Sequence, residues 1–340
     1  MTAGTRPPVT APLAASTPPP PQRRDVDVSV LVPAKDEAEN LPLFLELAEA
    51  AFARQTERYE VVVVDDGSVD ATWQTLQRLA PRFPFLRIAR HRSRRGIADA
   101  LRTGYLHARG DVLVFYPADL QFKPEDIPRL VAPILANESD MVTGFKQGKY
   151  EKAFVSGIYN GLSRTLFHVP VRDLNSVKAY RREIMEALPM RPDWHRYMIV
   201  LAAAEGFTVS EIPVPVYPRH AGRSKFGIGR IPVGLLDMLS VWFELRFGKK
   251  PLLLFGMLGA LLFLSGLLVG LGAVLWRFVV PPEWGGGVGF RPLLTLVETC
   301  LLLGSVFFAT GLLGEQIAGQ RAELRELRRQ LDDIRGTGEV

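Results

Sequence analysis

Two uninterrupted apolar runs near the C-terminus constrain this chain most. Residues 252–276 carry no charge over 25 positions, and residues 293–314 carry one, Glu298. At 1.5 Å per residue, the first run as a helix exceeds the roughly 30 Å hydrocarbon core of a bilayer. Neither run has the polar stripe of a helix that is half-buried in a soluble core. Both are therefore predicted to span a membrane. The connecting loop, 277–292, contains Arg277 and Arg291. Arg246, Lys249 and Lys250 precede the first run, and Arg321, Arg325, Arg328 and Arg329 follow the second. This bias puts both flanks in the cytoplasm and the loop outside. Trp276 and Trp284 fall at the level of an aromatic belt. The reading is thus a multi-pass integral membrane protein with a cytoplasmic N-terminal domain and cytoplasmic termini.

Composition divides the rest of the chain. Residues 1–24 hold seven prolines and few large apolar side chains. Such a tail cannot offset its ordering entropy and is expected to be disordered. Residues 25–228 read as one globular domain. Residues 229–250 read as an amphipathic helix on the headgroups, and 251–315 as the two spans. Residues 316–340 read as a charged cytoplasmic tail, helical over 319–335. The single cysteine, Cys300, excludes an intrachain disulfide and a cysteine metal cluster. The formal charge of +5 comes without any recognisable nucleic-acid module, so no nucleic-acid partner is expected.

Within 25–228, β-rich runs at Val28–Val32, Glu60–Val64, Leu86–Ala89 and Val112–Phe115 alternate with helical stretches such as 39–55 and 70–80. That alternation predicts an α/β domain with a parallel sheet and helices on both faces. Ligands of such sheets bind beyond the carboxyl ends of the strands. Three of those ends are acidic: Lys35-Asp36-Glu37, Asp65-Asp66-Gly67-Ser68 and Pro117-Ala118-Asp119-Leu120-Gln121. The turn after the first strand has no glycine, which argues against a dinucleotide fold, and a Walker P-loop is also absent. Asp119 and Gln121 lie two apart, so both side chains point the same way and offer a carboxylate and an amide oxygen to a hard cation.

The segments VPAKDE, VVVVDDGS, RRGIADAL, PADLQ, VRDLNSVKAYRRE and HAGRSKFG together resemble family 2 glycosyltransferases of the GT-A fold. More narrowly, they are similar to the polyprenyl-phosphate glycosyltransferases, the dolichol-phosphate-mannose-synthase-like group. The resemblance runs from about Asp27 to Lys250, and the paired C-terminal spans match bacterial members. It implies a mostly parallel GT-A sheet, a nucleotide-diphospho-sugar donor (a UDP- or GDP-sugar) and a polyprenyl phosphate acceptor. Pro33, Ala34, Asp36 and Glu37 would touch the nucleoside. Asp65 and Asp66 would hold base and ribose, and Arg95 and Gly96 would pass beside the nucleotide. Asp119 and Gln121 match the last Asp and the Gln of the family's metal motif, for Mg²⁺ or Mn²⁺. The first Asp of that motif is Pro117 here, and Asp36 stands where Asn is usual.

The acceptor side is basic. Arg172, Asp173, Ser176 and Lys178 form one run, and Arg219, His220, Arg223, Ser224 and Lys225 a second. Arg and Lys suit phosphate oxygens. Asp119, Arg172, Asp173 and Arg223 are the expected catalytic residues. His220 is read as a hydrogen-bond donor, and His195 as a candidate acid–base group. The stretch 152–168, with Lys152 and Arg164, reads either as a guide for the lipid or as packing on the sheet. Gly256, Gly259 and Gly304 suit helix association in the spans and leave room for a homo-oligomer.

The resulting expectation is an inverting transfer of one sugar to undecaprenyl or dolichyl phosphate at the cytoplasmic face. Two alternatives stay open on the residues. One is a processive polysaccharide synthase, although its Gln-X-X-Arg-Trp element and extra spans are missing. The other is a membrane-bound nucleotide-sugar binder without turnover, suggested by Pro117.

Overall fold

The structure is a computed structural model. It describes residues 25–147, 161–163, 165–167, 171–188, 190–221, 231–279 and 291–337. The tail 1–24, Lys152, Arg164, Arg223, Ser224, Lys225 and most of the loop between the spans lie outside the described residues. The chain separates into two compact units, Met1–Gly227 and Ile228–Val340.

The first unit is built on a seven-stranded sheet. Its strands are β1 (Val28–Ala34), β2 (Tyr59–Asp65), β3 (Leu86–Arg90), β4 (Val112–Phe115), β5 (Met141–Gln147), β6 (Lys178–Arg181) and β7 (Val209–Pro215), in the order β3-β2-β1-β4-β6-β5-β7. Helices α1 (Leu41–Phe52), α2 (Thr72–Leu79), α3 (Ile97–His107) and α4 (Ile127–Leu135) connect the first five strands. Shorter helices α5 (Arg182–Ala187) and α6 (Met198–Ala204) follow β6. The Val-rich strands are buried on both faces, as a sheet covered on both sides requires. Val30, Val32, Val61, Val63 and Val114 pack with Phe44, Leu45 and Leu76 of α1 and α2. Helix α3 covers the other face, where Gly104 lets it approach: a Cβ there would lie 3.3 Å from Leu31 Cδ2.

The sheet is mostly parallel, with one exception that matters. Strand β6 enters antiparallel between β4 and β5, pairing Lys178 with Phe115 and with Thr143. Its N-terminal end therefore meets the C-terminal ends of its neighbours. Strand β7 runs parallel to β5 and exits beside it, with Gln147 opposite Pro215. Residues 171–178 and 216–221 thus reach the same sheet edge as the acidic ends of β1, β2 and β4.

The second unit contains α7 (Ile231–Phe247), α8 (Pro251–Val279) and α9 (Arg291–Thr337). Helices α8 and α9 each contain a window long and apolar enough to cross a membrane, and little of that window is buried. The charged stretch 319–335 is not a separate element, because α9 continues through it without a break. Gly259 and Gly304 face each other across the helix pair. A Cβ at Gly259 would meet Phe308 N at 2.5 Å, and one at Gly304 would meet Phe263 N at 2.6 Å. Gly256 and Gly311 lie in the same seam. These small residues are thus taken up by packing inside one chain.

Candidate active site

The exits of β1 and β2 are laced together. Asp36 adopts a left-handed backbone, φ 51°. Its Oδ1 accepts from Val69 N at 2.9 Å, and its own N donates to Ser68 Oγ at 2.9 Å. Lys35 Nζ donates to Gly67 O at 2.8 Å, and Glu37 N to Thr72 Oγ1 at 2.8 Å. Pro33 and Ala34 finish the strand beneath this lacing.

The acidic pair splits into two jobs. Asp65 is fully buried; its Oδ1 accepts from Ser68 N at 2.9 Å and its Oδ2 lies 3.1 Å from Arg90 Nε. Asp66 organises the loop before α3. Its Oδ1 accepts from Arg95 N at 2.7 Å, and its Oδ2 from Gly96 N at 2.8 Å. His91 Nδ1 lies 2.8 Å from the same carboxylate, and His91 Nε2 2.8 Å from Thr103 Oγ1. Gly67 is required between them: φ is 66°, and a Cβ would sit 2.6 Å from the Ser93 carbonyl carbon. Arg95 and Gly96 are therefore placed by Asp66 through their backbone, while the Arg95 side chain is exposed. Sequence reasoning passed over His91 and Arg90. Nothing in their local pattern singles them out, because both partners lie on another strand end.

Beyond β4, Asp119 Oδ1 accepts from Gln121 N at 3.2 Å. Arg219 arrives from the segment after β7. Its Nη2 is 2.9 Å from Asp119 Oδ2 and 3.3 Å from Gln121 Oε1. Tyr217 N also donates to Gln121 O at 2.9 Å, which docks that segment on the turn. Arg219 thus sits with the Asp119–Gln121 turn and not with the 172–178 run. His220, next to it, is exposed.

The run 172–178 divides as well. Arg172 is largely exposed; its N donates to a Glu211 carboxylate oxygen, its Nε lies 3.9 Å from Glu211 Oε2, and its guanidinium covers the Phe145 ring at 4.7 Å. Asp173, Ser176 and Lys178 are buried. Asp173 Oδ2 is 3.0 Å from Lys146 Nζ, and Lys178 Nζ donates to Ser176 O at 2.8 Å. Burial pushes the Lys178 ammonium down to about 7. Asp173 opposes that shift, and Lys146 and Arg196 reinforce it. His195 is buried beside Phe115, and among the described residues its Nδ1 has no hydrogen-bond partner. Burial, with Arg196 and Lys178 adding to it, holds its pKa well below the usual imidazole range. It is therefore neutral at physiological pH.

The donor set at the β4 end fits a divalent cation. A carboxylate and an amide oxygen leave the remaining positions for water and phosphate oxygens, as Mg²⁺ sites commonly do. Among the described residues no three His, Cys, Asp or Glu side chains gather as a self-sufficient metal cage.

A sheet with acidic β1, β2 and β4 ends, a basic β6 entry and two appended apolar helices defines a class. The Glycosyl transferase family 2 model matches residues 29–169. The dodecaprenyl-phosphate galacturonate synthase of Rhizobium johnstonii is 31% identical, over 87% of this chain and 88% of that protein. The undecaprenyl-phosphate 4-deoxy-4-formamido-L-arabinose transferase of Yersinia enterocolitica is 30% identical, over 85% and 88%. Glucosyl-3-phosphoglycerate synthase of Mycobacterium tuberculosis, crystallised with Mn²⁺, UDP and its product, superposes with a TM-score of 0.51. It is 19% identical, and the match covers 65% of this chain and 80% of that one. The chain belongs to glycosyl transferase family 2: it is a GT-A glycosyltransferase, similar to the polyprenyl-phosphate sugar transferases.

Proposed function

We propose that this enzyme moves one sugar from a nucleotide-diphospho-sugar to a polyprenyl phosphate at the cytoplasmic membrane face, with inversion at the anomeric carbon. The observation that carries the reading is one sheet edge that combines a nucleotide-side acidic cluster with a basic entry to β6, in a chain ending in two apolar helices. The names of the relatives favour a single-sugar transfer over processive synthesis. The solved neighbour's UDP and Mn²⁺ favour a uridine nucleotide and a divalent cation.

The acceptor phosphate needs little activation. With a second pKa near ~6 it is largely dianionic at neutral pH, so no side-chain base has to remove a proton. Catalysis then rests on positioning and on preorganised charge. Asp65, Asp36 and the loop held by Asp66 shape the nucleotide side. Asp119 and Gln121 would hold the cation, which when bound neutralises the leaving diphosphate. Arg172 would orient the acceptor phosphate beside the sugar, with Arg223, Ser224 and Lys225 as further phosphate contacts, and the buried Ser176 and Lys178 would support that end of the sheet from beneath. Asp173 fixes Lys146 next to them.

The deciding experiment incubates the purified enzyme in nanodiscs with radiolabelled UDP- and GDP-sugars and undecaprenyl phosphate. Label extracted into organic solvent as a sugar-phosphate lipid supports the reading. Soluble polymer, or no product from any donor, refutes it. Both termini are proposed to be cytoplasmic. Cysteines placed at 286 and 330 in a Cys300→Ala background test this, and outside labelling of 330 alone would reverse the topology.

A further inference from the structure

The Asp119–Gln121 turn already holds a cation, and that cation belongs to the chain. Arg219 Nη2 lies 2.9 Å from the Asp119 carboxylate and 3.3 Å from the Gln121 amide oxygen. Both side chains are well sheltered: 11% of the Asp119 side chain and 25% of that of Arg219 are exposed. The placement is not a chance side-chain swing. Tyr217 N donates to Gln121 O, and Lys123 Nζ covers the Tyr217 ring at 4.5 Å, so backbone and ring contacts both seat the Arg219 segment on this turn.

Chemistry gives the pair a consequence. A guanidinium stays charged at any working pH, so the ion pair is not released by titration. A divalent cation approaching Asp119 meets a fixed positive charge on the oxygens it needs. The turn itself supplies no second carboxylate, because the position two before Asp119 is Pro117. A diphosphate offers the guanidinium fork more charge and more oxygens than one carboxylate does.

We infer that Arg219 is a donor-side residue that sets the affinity of the Asp119–Gln121 turn for a divalent cation. The carboxylate becomes available to metal when Arg219 exchanges it for the diphosphate of an incoming donor. Metal and donor therefore load together, and metal alone binds poorly. This rests on reading the β4 end as the donor site. It assigns Arg219 a role different from the acceptor contact expected from its place in the basic run.

The test reads metal binding without turnover. Electron paramagnetic resonance of Mn²⁺ alone, titrated into the full-length protein in nanodiscs, compares wild type with Arg219→Gln, Arg219→Ala and Arg219→Lys. Removing the charge is expected to tighten Mn²⁺ binding at least ~10-fold. Arg219→Lys should stay near wild type. Adding Asp119→Asn to Arg219→Gln should abolish the gain. Circular dichroism identifies which of the two neutral variants is folded. Equal or weaker Mn²⁺ binding in a folded neutral variant overturns the inference, as does an Asp119-independent gain. A tightened Mn²⁺ site in an enzyme that transfers no sugar to lipid would instead refute the function proposed above and leave this inference standing.

Discussion

Asp66 accepts a hydrogen bond from the Gly96 amide at 2.8 Å, tying the exit of β2 to the start of α3. The same carboxylate holds Arg95 N and faces His91, so one buried side chain shapes the loop that leads into α3. Replacing Asp66 with Ala leaves two amides without their acceptor. At roughly 1.5–3 kcal/mol for a hydrogen bond to a charged group, the loss should be about 3 kcal/mol after partial hydration. A thermal melt should show a clear drop in Tm, and nucleotide affinity should fall with it. An Asp66→Ala protein with wild-type Tm would contradict this role.

Asp119→Asn tests the turn proposed to hold the cation. The substitution keeps the shape but removes the charge opposite Arg219 and any cation. Loss of such preorganised charge typically costs about 10²–10³ in kcat. The protein should still fold, because the turn lies at a strand end and not within the sheet core. Transfer assayed at limiting Mn²⁺ should collapse, with the circular dichroism spectrum unchanged. Near wild-type transfer at limiting metal would remove Asp119 from the site.

Lys178 gives the enzyme a pH dependence. Its folded pKa, about 7, is below that of an ordinary lysine because burial disfavours the ammonium. Between pH 7 and the ordinary lysine value the unfolded chain binds more protons than the folded one. Stability from this group therefore rises with pH across that window, and its penalty is fully present below pH 7. Thermal melts should show stability rising with pH from about 7 toward the ordinary lysine range in wild type, relative to Lys178→Met. The same pH slope in both proteins would assign the effect elsewhere.

Arg172 separates chemistry from membrane contact. It is exposed and leans on Glu211 and Phe145. A charge-assisted phosphate contact is worth roughly 1.5–3 kcal/mol, or about 10- to 100-fold in rate. Arg172→Ala should lose that much in detergent with a short soluble prenyl phosphate, and Arg172→Lys should recover part. A wild-type rate for Arg172→Ala in that assay would leave Arg172 with only a surface role.

The helix pair supplies a prediction with an internal control. Gly259→Leu drives a side chain into Phe308 N, whereas at Gly272 a Cβ meets nothing within 4 Å. Overpacking of this kind costs about 1–3 kcal/mol. Gly259→Leu should lower the melting temperature in detergent, and Gly272→Leu should not. Equal melting of the two would mean that the seam does not hold the pair.

Much of this protein is set by local pattern. The Val runs of β1 and β2 and the carboxylates at their ends follow from period and turn chemistry, and so do the apolar stretches of α8 and α9. Each depends on neighbours a few residues apart. Tertiary structure alone decided who meets whom at the sheet edge. The antiparallel entry of β6 buries Lys178 against Phe115 and lowers its pKa. The parallel exit of β7 delivers Arg219 to Asp119 across 100 positions of chain. The acid pair divides the same way, since Asp66 finds the 95–96 amides only once β2 and β3 are side by side. Composition marks such residues as charged. Strand order and direction, which pair segments far apart in sequence, determine which opposite charge or open amide each one reaches.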